Sequence, residues 1–232
     1  MPQIKHISFD LDGTLIDSFP IMKLAWESAT TSLNINCSFL EYKKHVGMPF
    51  SRILELLDLS GHENELAKIY FSHTKRLSGD VALFQGVNDV LSALKKMGLS
   101  TSIITAKPRE NAELLCAKLN IPFDFLVCGD DHHQGKPNAF VADALFEKFS
   151  LVPAEVVYVG DMAVDFQFAI NVGMHFIHCN GNGESLLPRN IVNKFKSIRY
   201  LVELLELVRE DFSTFVDTPS DLKRVQELFF SA

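Results

Sequence analysis

Five short apolar runs, separated by longer segments of helical period, constrain the fold of this chain most strongly. The runs have the length of β-strands, are rich in Ile, Val and Phe, and occupy residues 4–9, 101–105, 125–128, 156–159 and 175–179. Apolar residues recur at helical spacing in residues 87–94, 112–119 and 139–149. Strands that alternate with helices form βαβ units. The sequence therefore predicts an α/β fold in which helices cover both faces of a doubly wound parallel sheet.

Residues 17–84 interrupt this alternation. They contain four segments of helical period, at residues 21–33, 39–45, 50–57 and 63–77, and no strand is predicted until residues 81–84. An all-helical block directly after the first strand of an α/β sheet indicates an inserted second domain. We therefore expect a discontinuous core of residues 1–16 and 85–232 and a helical domain of residues 17–84. A last helix is predicted to begin near residue 218.

Composition and charge limit the partners of the chain. Its 232 residues are 47% hydrophobic and 22% charged, which is typical of a globular protein. The net charge of −7 disfavours nucleic acids and anionic membranes as partners. We expect no membrane span and no signal peptide, and the four scattered cysteines indicate a reducing, cytoplasmic location. If such an acidic protein handles phosphates, it needs a metal ion or a few well-placed lysines.

Two carboxylates follow the first predicted strand. Asp10 and Asp12 are one residue apart, and Gly13 comes next. Residues i and i+2 of an extended chain point to the same side, so these carboxylates would share a small space unless a cation or a shared proton offsets their repulsion. Such a pair suits a site that binds a hard metal ion or performs acid–base chemistry. A polar loop that caps a helix is the alternative interpretation.

Polar residues also follow three of the other predicted strands. Thr105 ends the second run, Lys136 lies beyond the third, and Asp161 and Asp165 follow the fourth. Each alone has a simpler explanation: a helix N-cap, a solvated loop cation or a helix start favoured by the dipole. Open α/β sheets bind ligands at the carboxyl ends of their strands. The joint placement of these residues therefore indicates a single site.

Taken in order, the motifs resemble those of the haloacid dehalogenase-like hydrolases, in their phosphoglycolate phosphatase-like branch. The motifs are DLDGT at residues 10–14, Thr105, Lys136-Pro137 and GDMAVD at residues 160–165. The similarity extends over nearly the whole chain. The helical block matches the cap domain of that family, and Gly47-Met48-Pro49 resembles the cap loop that faces the active site.

The resemblance implies a phosphatase mechanism. Asp10 would attack phosphorus to form an aspartyl phosphate, and Asp12 would protonate the leaving alkoxide and then activate water. Thr105, Lys136 and the backbone N–H of Ala106, which stands where many relatives carry Asn, would bind the phosphoryl oxygens. Dehalogenases of this family lack the second aspartate, so Asp12 indicates action on a phosphate ester.

The same resemblance implies Mg²⁺ as the cofactor. The ion would be held by the Asp10 carboxylate, the Asp12 backbone carbonyl and Asp161, and Asp165 would orient these ligands. The lysine and the metal would together supply the local positive charge that the acidic chain otherwise lacks.

The implied substrate is a small soluble phosphate monoester, such as 2-phosphoglycolate or a sugar phosphate, acted on by a monomer or homodimer. Gly47, Met48 and Arg52 are candidate cap contacts to it, and a solvated helix face is the alternative position for Arg52. A β-phosphoglucomutase-like enzyme is one alternative function, but such mutases carry a histidine near the position of Met22. A non-catalytic binding protein of this fold is another.

Two further features are interpreted as structural. His132-His133, beside Asp130 and Asp131, could form a transition-metal site, but we interpret the segment as a loop before Lys136. Trp26, on a predicted cap helix, is expected to pack in a core.

Overall fold

The computed structural model describes residues 3–132, 134–181 and 196–209. In chain order its strands are β1 (His6–Phe9), β2 (Ile16–Asp17), β3 (Ala82–Leu83), β4 (Ser100–Ile104), β5 (Phe125–Val127), β6 (Val156–Gly160), β7 (His175–Cys179) and β8 (Ser197–Ile198). Six of them form one sheet in the order β5-β4-β1-β6-β7-β8, and every neighbouring pair in it is parallel. The five predicted strands of this sheet are confirmed. The short strands β2 and β8 are not among the predictions, because two residues carry too little pattern to be recognised.

The helices are α1 (Phe19–Ser32), α2 (Phe39–Lys43), α3 (Phe50–Leu56), α4 (Glu63–Arg76), α5 (Val87–Lys96), α6 (Arg109–Lys118), α7 (Asp143–Phe149), α8 (Ala163–Val172) and α9 (Glu203–Arg209). The helix predicted at residues 139–149 starts instead with a 3₁₀ turn, Ala139–Ala142, before α7. The side chain of Asn138 caps that turn by accepting a hydrogen bond from the Phe140 N–H (3.1 Å). The helix predicted near residue 218 lies outside the described residues. Within the described ranges, no helix combines the length and apolarity that a membrane crossing requires.

Side chains alternate between the two faces of the sheet. Ile7 and Phe9 of β1 pack with α5, α6 and α9, whereas Tyr158 of β6 and Phe176 of β7 pack with α7 and α8. Both faces are therefore covered by helices, as a parallel sheet requires. The predicted doubly wound α/β fold is confirmed.

Helices α1 to α4 form a helical insertion between β2 and β3, two strands that pair with each other in antiparallel fashion. Trp26 is fully buried in its core and stacks on Tyr42, with 4.2 Å between ring centroids. The predicted packing role of Trp26 is thus confirmed. The same core includes Met162 and Val164, at the start of α8. The insertion therefore packs against the end of the sheet where β6 leads into α8.

A buried chain of polar groups joins the amino ends of β1 and β4. The Nδ1 and Nε2 atoms of His6 lie 2.6 Å from Ser100 Oγ and 2.8 Å from Ser102 Oγ, and the Ser102 Oγ is 2.8 Å from Ser8 Oγ. Burial lowers the pKa of His6 to about 4, although the charge of Asp124 opposes the shift. The imidazole is therefore neutral at neutral pH, and its two nitrogens are satisfied by hydroxyl groups.

We expect acid to destabilise the fold through His6. An unfolded histidine takes up a proton near pH 6.5, whereas this buried imidazole stays neutral until about pH 4. Between these values the unfolded state binds more protons, so the free energy of unfolding falls as the pH falls, by up to about 3 kcal/mol for this group. The substitution His6→Asn should flatten the decline of the melting temperature between pH 6.5 and 4.

The exposed His62 offers a matched control, since His62→Asn removes a histidine from the protein surface. That variant should keep the pH slope of the unmodified protein. Equal slopes for the protein and His6→Asn would show that His6 does not control acid stability.

Candidate active site

The carboxyl ends of three neighbouring strands bring the predicted site residues together. Asp10 follows β1, Thr105 follows β4 and Asp161 follows β6, with β1 in the middle. The sheet itself holds two of these residues, because the Asp10 N–H donates to the Val159 carbonyl (2.9 Å) and the Thr105 N–H to the Val127 carbonyl (3.0 Å). Parallel strands end at the same edge of a sheet, and the placement expected from the sequence is therefore observed.

A tight turn after β1 places the following residues against Asp161. Gly13 has a φ of +89°, and a Cβ at this position would overlap the Asp161 carboxylate. Next along the chain, the Thr14 hydroxyl donates to Asp161 Oδ1 (2.9 Å). The glycine of the motif is thus required both by its backbone conformation and by the carboxylate that it faces.

Lys136 is buried at the centre of the site. Its Nζ donates to Asp10 Oδ1 (2.6 Å), Asp165 Oδ1 (2.7 Å) and the Tyr158 hydroxyl (3.0 Å), and only 2% of the residue is exposed. Burial alone would lower the pKa of Lys136, but the charges of Asp10 and Asp165 outweigh it and raise the pKa well above its usual value. The side chain is therefore an ammonium ion. Through Asp10 and Asp165 it links the Lys136-Pro137 motif to the DLDGT and GDMAVD motifs.

Tyr158 is a site residue that sequence reasoning missed. It lies on β6, and its hydroxyl accepts from Lys136 while donating to the Ile104 carbonyl at the end of β4 (3.0 Å). The available signal was a single hydroxyl-bearing residue in the otherwise apolar run VVYVG. The pattern does not reveal that this hydroxyl would meet Lys136, because the two residues are brought together only by the fold.

Three carboxylates form a group that suits a metal ion. Oxygen atoms of Asp10, Asp161 and Asp165 lie within 4.8 Å of one another. Burial raises the pKa of Asp10 to about 7; Lys136 opposes the shift, and the nearby carboxylates add to it. Burial and the charges of Asp165 and Asp10 likewise raise the pKa of Asp161 well above its usual value. Asp10 and Asp165 are buried and Asp161 is half-buried, so three grouped carboxylates face a single lysine and lack positive charge. Oxygen donors of this kind fit a hard divalent cation such as Mg²⁺.

The side chain of Asp12 has different partners from the group formed by Asp10, Asp161 and Asp165. Asp12 Oδ1 accepts from the Ser18 hydroxyl (2.5 Å) and lies 3.1 Å from Lys107 Nζ. Asp12 and Lys107 are both largely buried. Lys107 is a second site residue that the sequence reasoning did not assign, although it follows Thr105 by two positions. Its backbone N–H also donates to the Thr105 hydroxyl oxygen (3.1 Å), which ties the two residues together.

A small cavity opens beside Asp12, between the helical insertion and the core. Its wall on the core side includes Asp12, Ala106, Lys107 and Pro108. Its wall on the insertion side includes Met22, Tyr42, Met48, Phe50, Tyr70 and Phe71. A molecule in this cavity would therefore contact both the insertion and the proposed acid–base group.

The three candidate cap residues have different positions. Met48 lines the cavity. Gly47 packs on the start of α8, where a Cβ would come within 2.5 Å of Val164 Cγ1, and its φ is +96°. Arg52 is not brought to the cavity: it lies on the exposed face of α3, and its Nη1 donates to Glu55 (2.5 Å). Its position corresponds to the alternative interpretation, a solvated helix face.

The acidic loop before Lys136 is held by Arg109 at the start of α6. The Arg109 guanidinium binds both oxygens of Asp131 (3.0 and 2.5 Å), and the Arg109 N–H donates to Asp130 (2.8 Å). Asp131 also accepts from the Cys128 N–H (2.7 Å). Among the described residues, the only group suited to a metal is the one around Asp10, and His132 is not part of it. The loop interpretation holds for His132, and His133 lies outside the described residues.

Comparisons with known proteins agree with this geometry. A family model described as "Haloacid dehalogenase-like hydrolase" matches residues 7–179. A phosphoglycolate phosphatase of Vibrio vulnificus strain YJ016 is 31% identical over 188 residues, which cover 74% of this chain and 81% of the relative. A phosphoglycolate phosphatase of Aliivibrio fischeri is 28% identical over 229 residues, covering 89% and 98%. The crystal structure of a hydrolase from Pseudomonas syringae shares the fold with a TM-score of 0.80 at 22% identity, covering 90% of this chain and 99% of that one.

The chain belongs to the haloacid dehalogenase-like hydrolase family. Within that family its relatives place it in the phosphoglycolate phosphatase-like branch, and it is a phosphatase.

We expect Arg109 to stabilise the fold through the loop before Lys136. The substitution Arg109→Gln removes the charged hydrogen bonds to Asp131 and should therefore lower the free energy of unfolding. The loss should be limited to about 1–2 kcal/mol, because both side chains are partly exposed to solvent. Glu113→Gln is the control, since it removes only the exposed ion pair that Glu113 forms with the same arginine (2.9 Å), and should cost at most about 0.5 kcal/mol. Urea denaturation would measure both, and equal losses would contradict a specific role of the Asp131 contact.

Proposed function

We propose that this protein is a Mg²⁺-dependent phosphatase that hydrolyses a small-molecule phosphate monoester through an aspartyl phosphate on Asp10. The observation that carries the proposal is the position of Asp10. Its carboxylate lies at a strand end, bonded to the buried Lys136 and grouped with Asp161 and Asp165. A carboxylate held there by a fixed cation is suited to act as a nucleophile towards an anionic phosphoryl group.

In the first proposed step, an Asp10 oxygen forms a bond to phosphorus and the bond from phosphorus to the alkoxide oxygen breaks. Asp12 gives its proton to that leaving oxygen, and Lys107, 3.1 Å away, stabilises the carboxylate that results. The Lys136 ammonium offsets the negative charge of the phosphoryl oxygens. The Thr105 hydroxyl accepts from the Lys107 N–H, so its own proton is available for a phosphoryl oxygen.

In the second proposed step, Asp12 takes a proton from water as the water oxygen bonds to phosphorus. The bond between phosphorus and the Asp10 oxygen breaks, which releases inorganic phosphate and restores the Asp10 carboxylate. The same carboxyl group therefore serves first as acid and then as base.

The donor set supports Mg²⁺ as the cofactor. Asp10, Asp161 and the Asp12 backbone carbonyl would hold the ion, and Asp165 would orient them. When bound, Mg²⁺ would offset the charge of the grouped carboxylates and polarise the phosphoryl group.

The helical insertion is proposed to act as a cap domain of residues 17–84 on a core of residues 1–16 and 85–232. The cavity beside Asp12 supports this proposal, because one wall comes from the insertion and the other from the core. Closure there would exclude water from the leaving group.

Met22 lines this cavity near the position where the resembling mutases carry a histidine, which favours hydrolysis over phosphoryl transfer to a second sugar. A small phosphorylated metabolite, a cytoplasmic location and a monomeric or homodimeric state complete the proposal.

The substitution Asp10→Asn should abolish turnover and leave the fold intact, because an amide is a poor nucleophile of almost the same shape. Enzymes accelerate phosphate-monoester hydrolysis by up to about 10²¹-fold, so no uncatalysed background would hide the loss. Phosphate release from p-nitrophenyl phosphate would measure it. The control is Asp80→Asn on the exposed turn before β3, which should keep full activity. Substantial activity in a pure Asp10→Asn sample would exclude Asp10 as the nucleophile.

Metal removal tests the cofactor separately. EDTA should stop phosphate release, Mg²⁺ should restore it, and Ca²⁺ should support little activity. Calcium accepts up to about eight oxygens in a looser arrangement and would occupy both Asp10 oxygens, which would hinder the attack. Full activity in EDTA would count against a metal at this site.

A further inference from the structure

We propose that Lys107 determines substrate specificity by binding a carboxylate on the leaving group of the phosphate ester. The cation that recognises this second negative charge then comes from the core, whereas the sequence suggested Arg52 of the helical insertion. The inference rests on the proposed phosphatase function and assigns a specificity-determining residue to the same site.

The first observation is that Lys107 supplies the positive charge of the cavity beside Asp12. Among the described residues that line this cavity, Lys107 is the only lysine, arginine or histidine. Its side chain is largely buried, with 10% exposed. Arg52 instead donates to Glu55 on the exposed face of α3 (2.5 Å). An anion in a small cavity needs a charged partner, and Lys107 is the partner that this cavity offers.

The second observation is that Lys107 has hydrogen-bonding capacity to spare. An ammonium group carries three N–H donors. Within the part of the chain that the structure describes, Lys107 Nζ contacts one carboxylate oxygen, Asp12 Oδ1, at 3.1 Å. That oxygen also accepts from the Ser18 hydroxyl (2.5 Å). In the first proposed step Asp12 carries the proton that it gives to the leaving oxygen, so it is then uncharged. A substrate carboxylate would supply the negative partner that Lys107 lacks at that stage.

The third observation is the position of Lys107 relative to the reacting atoms. Asp12 has to reach the leaving oxygen to protonate it, and the ammonium group lies 3.1 Å from Asp12. A carboxylate on the carbon atom that bears the leaving oxygen would therefore be within reach of Lys107. The cavity has a volume of about 50 Å³, which is room for about four groups of the size of water. This volume suits the leaving group of a short hydroxy acid better than a sugar.

The backbone holds Lys107 in place from both sides. Its N–H donates to the Thr105 hydroxyl oxygen (3.1 Å), and its carbonyl accepts from the Gly129 N–H (3.0 Å). Thr105 is itself a proposed phosphate-binding residue. One short segment of the core therefore carries both the contact to the phosphoryl group and the cation for the second charge, and neither depends on the insertion. A cation that is positioned before binding loses less entropy when the substrate arrives.

A matched pair of substrates tests the inference on the unmodified protein. The compounds are 2-phosphoglycolate and its primary amide, which has nearly the same shape and the same reacting centre but no charge on the leaving group. We expect kcat/KM to be at least about ten-fold higher for the acid, because one charge-assisted hydrogen bond is gained. Equal kcat/KM for the acid and the amide would overturn the inference.

The substitution Lys107→Met removes the charge and keeps most of the length of the side chain. Both substrates should react more slowly, because the variant also loses the contact to Asp12, but this loss cancels in the ratio of the acid to the amide. We expect that ratio to fall about ten- to a hundred-fold, mainly through a higher KM for the acid, since its carboxylate is bound throughout the reaction. An unchanged ratio would show that Lys107 acts on Asp12 alone. If this variant does not fold, Lys107→Gln takes its place.

Two further variants separate charge from structure. Lys107→Arg keeps the charge and should retain a preference for the acid, so the same loss as in Lys107→Met would contradict recognition of charge. Lys75→Met is the matched control, because it removes an exposed lysine of α4 that pairs with Glu110 (2.5 Å). This control should leave the ratio of the acid to the amide unchanged, and a similar fall in the control would count against a specific role of Lys107.

The two proposals fail in different ways. If no phosphate is released from any ester, including p-nitrophenyl phosphate, the proposed phosphatase function fails. If phosphate is released but the ratio of the acid to the amide does not depend on Lys107, only the present inference fails.

Discussion

The site depends on one buried ammonium group. Transfer of a lysine from water to a protein interior costs several kcal/mol unless its charge and its hydrogen bonds are matched. Lys136 finds two carboxylates and one hydroxyl within 3.0 Å, so its three protons all have partners. Removal of the lysine would leave Asp10 and Asp165 buried together without a cation, and the two carboxylates would repel each other. The stability of this edge of the sheet and the readiness of Asp10 for chemistry therefore rest on the same contact.

The arrangement nevertheless leaves an excess of negative charge. One ammonium faces three carboxylates, and the pKa of Asp10 and of Asp161 is raised mainly because both groups are buried among like charges. The fold holds these groups in place through contacts outside the group: Thr14 donates to Asp161, and the Met162 N–H donates to Asp165 (3.0 Å). A divalent cation is the natural complement to such a site. The acidic composition predicts that the site needs local positive charge, and Lys136 supplies only part of it.

The sequence was sufficient for what depends on local pattern. The strands of the main sheet, apart from β8, follow from short apolar runs, and Asp10, Thr105 and Asp161 follow from their positions at the ends of those runs. Tyr158 and Lys107 could not be assigned in the same way, because their roles are set by partners on other elements, at 3.0 Å and 3.1 Å. For Arg52, the sequence suggested a contact that the fold does not form. Its sequence position beside the cap loop suggested a substrate contact, but the position of α3 leaves its side chain exposed beside Glu55. The local sequence pattern does not reveal which side chains on different strands, helices and loops contact one another.

The contact between insertion and core explains how one chain could combine a common reaction with a particular substrate. The proposed phosphoryl site is built entirely from the sheet edge, where Asp10, Thr105 and Lys136 are fixed by strands and by one another. The aromatic residues on the insertion side of the cavity, such as Tyr42 and Tyr70, belong to a helical core that reaches the sheet at Met162 and Val164. Gly47 permits this close approach, because a larger residue would collide with Val164. Substitutions of these aromatic residues would therefore change the insertion side of the cavity and leave the residues at the sheet edge in place. Substitutions at the sheet edge would alter the reaction for every substrate.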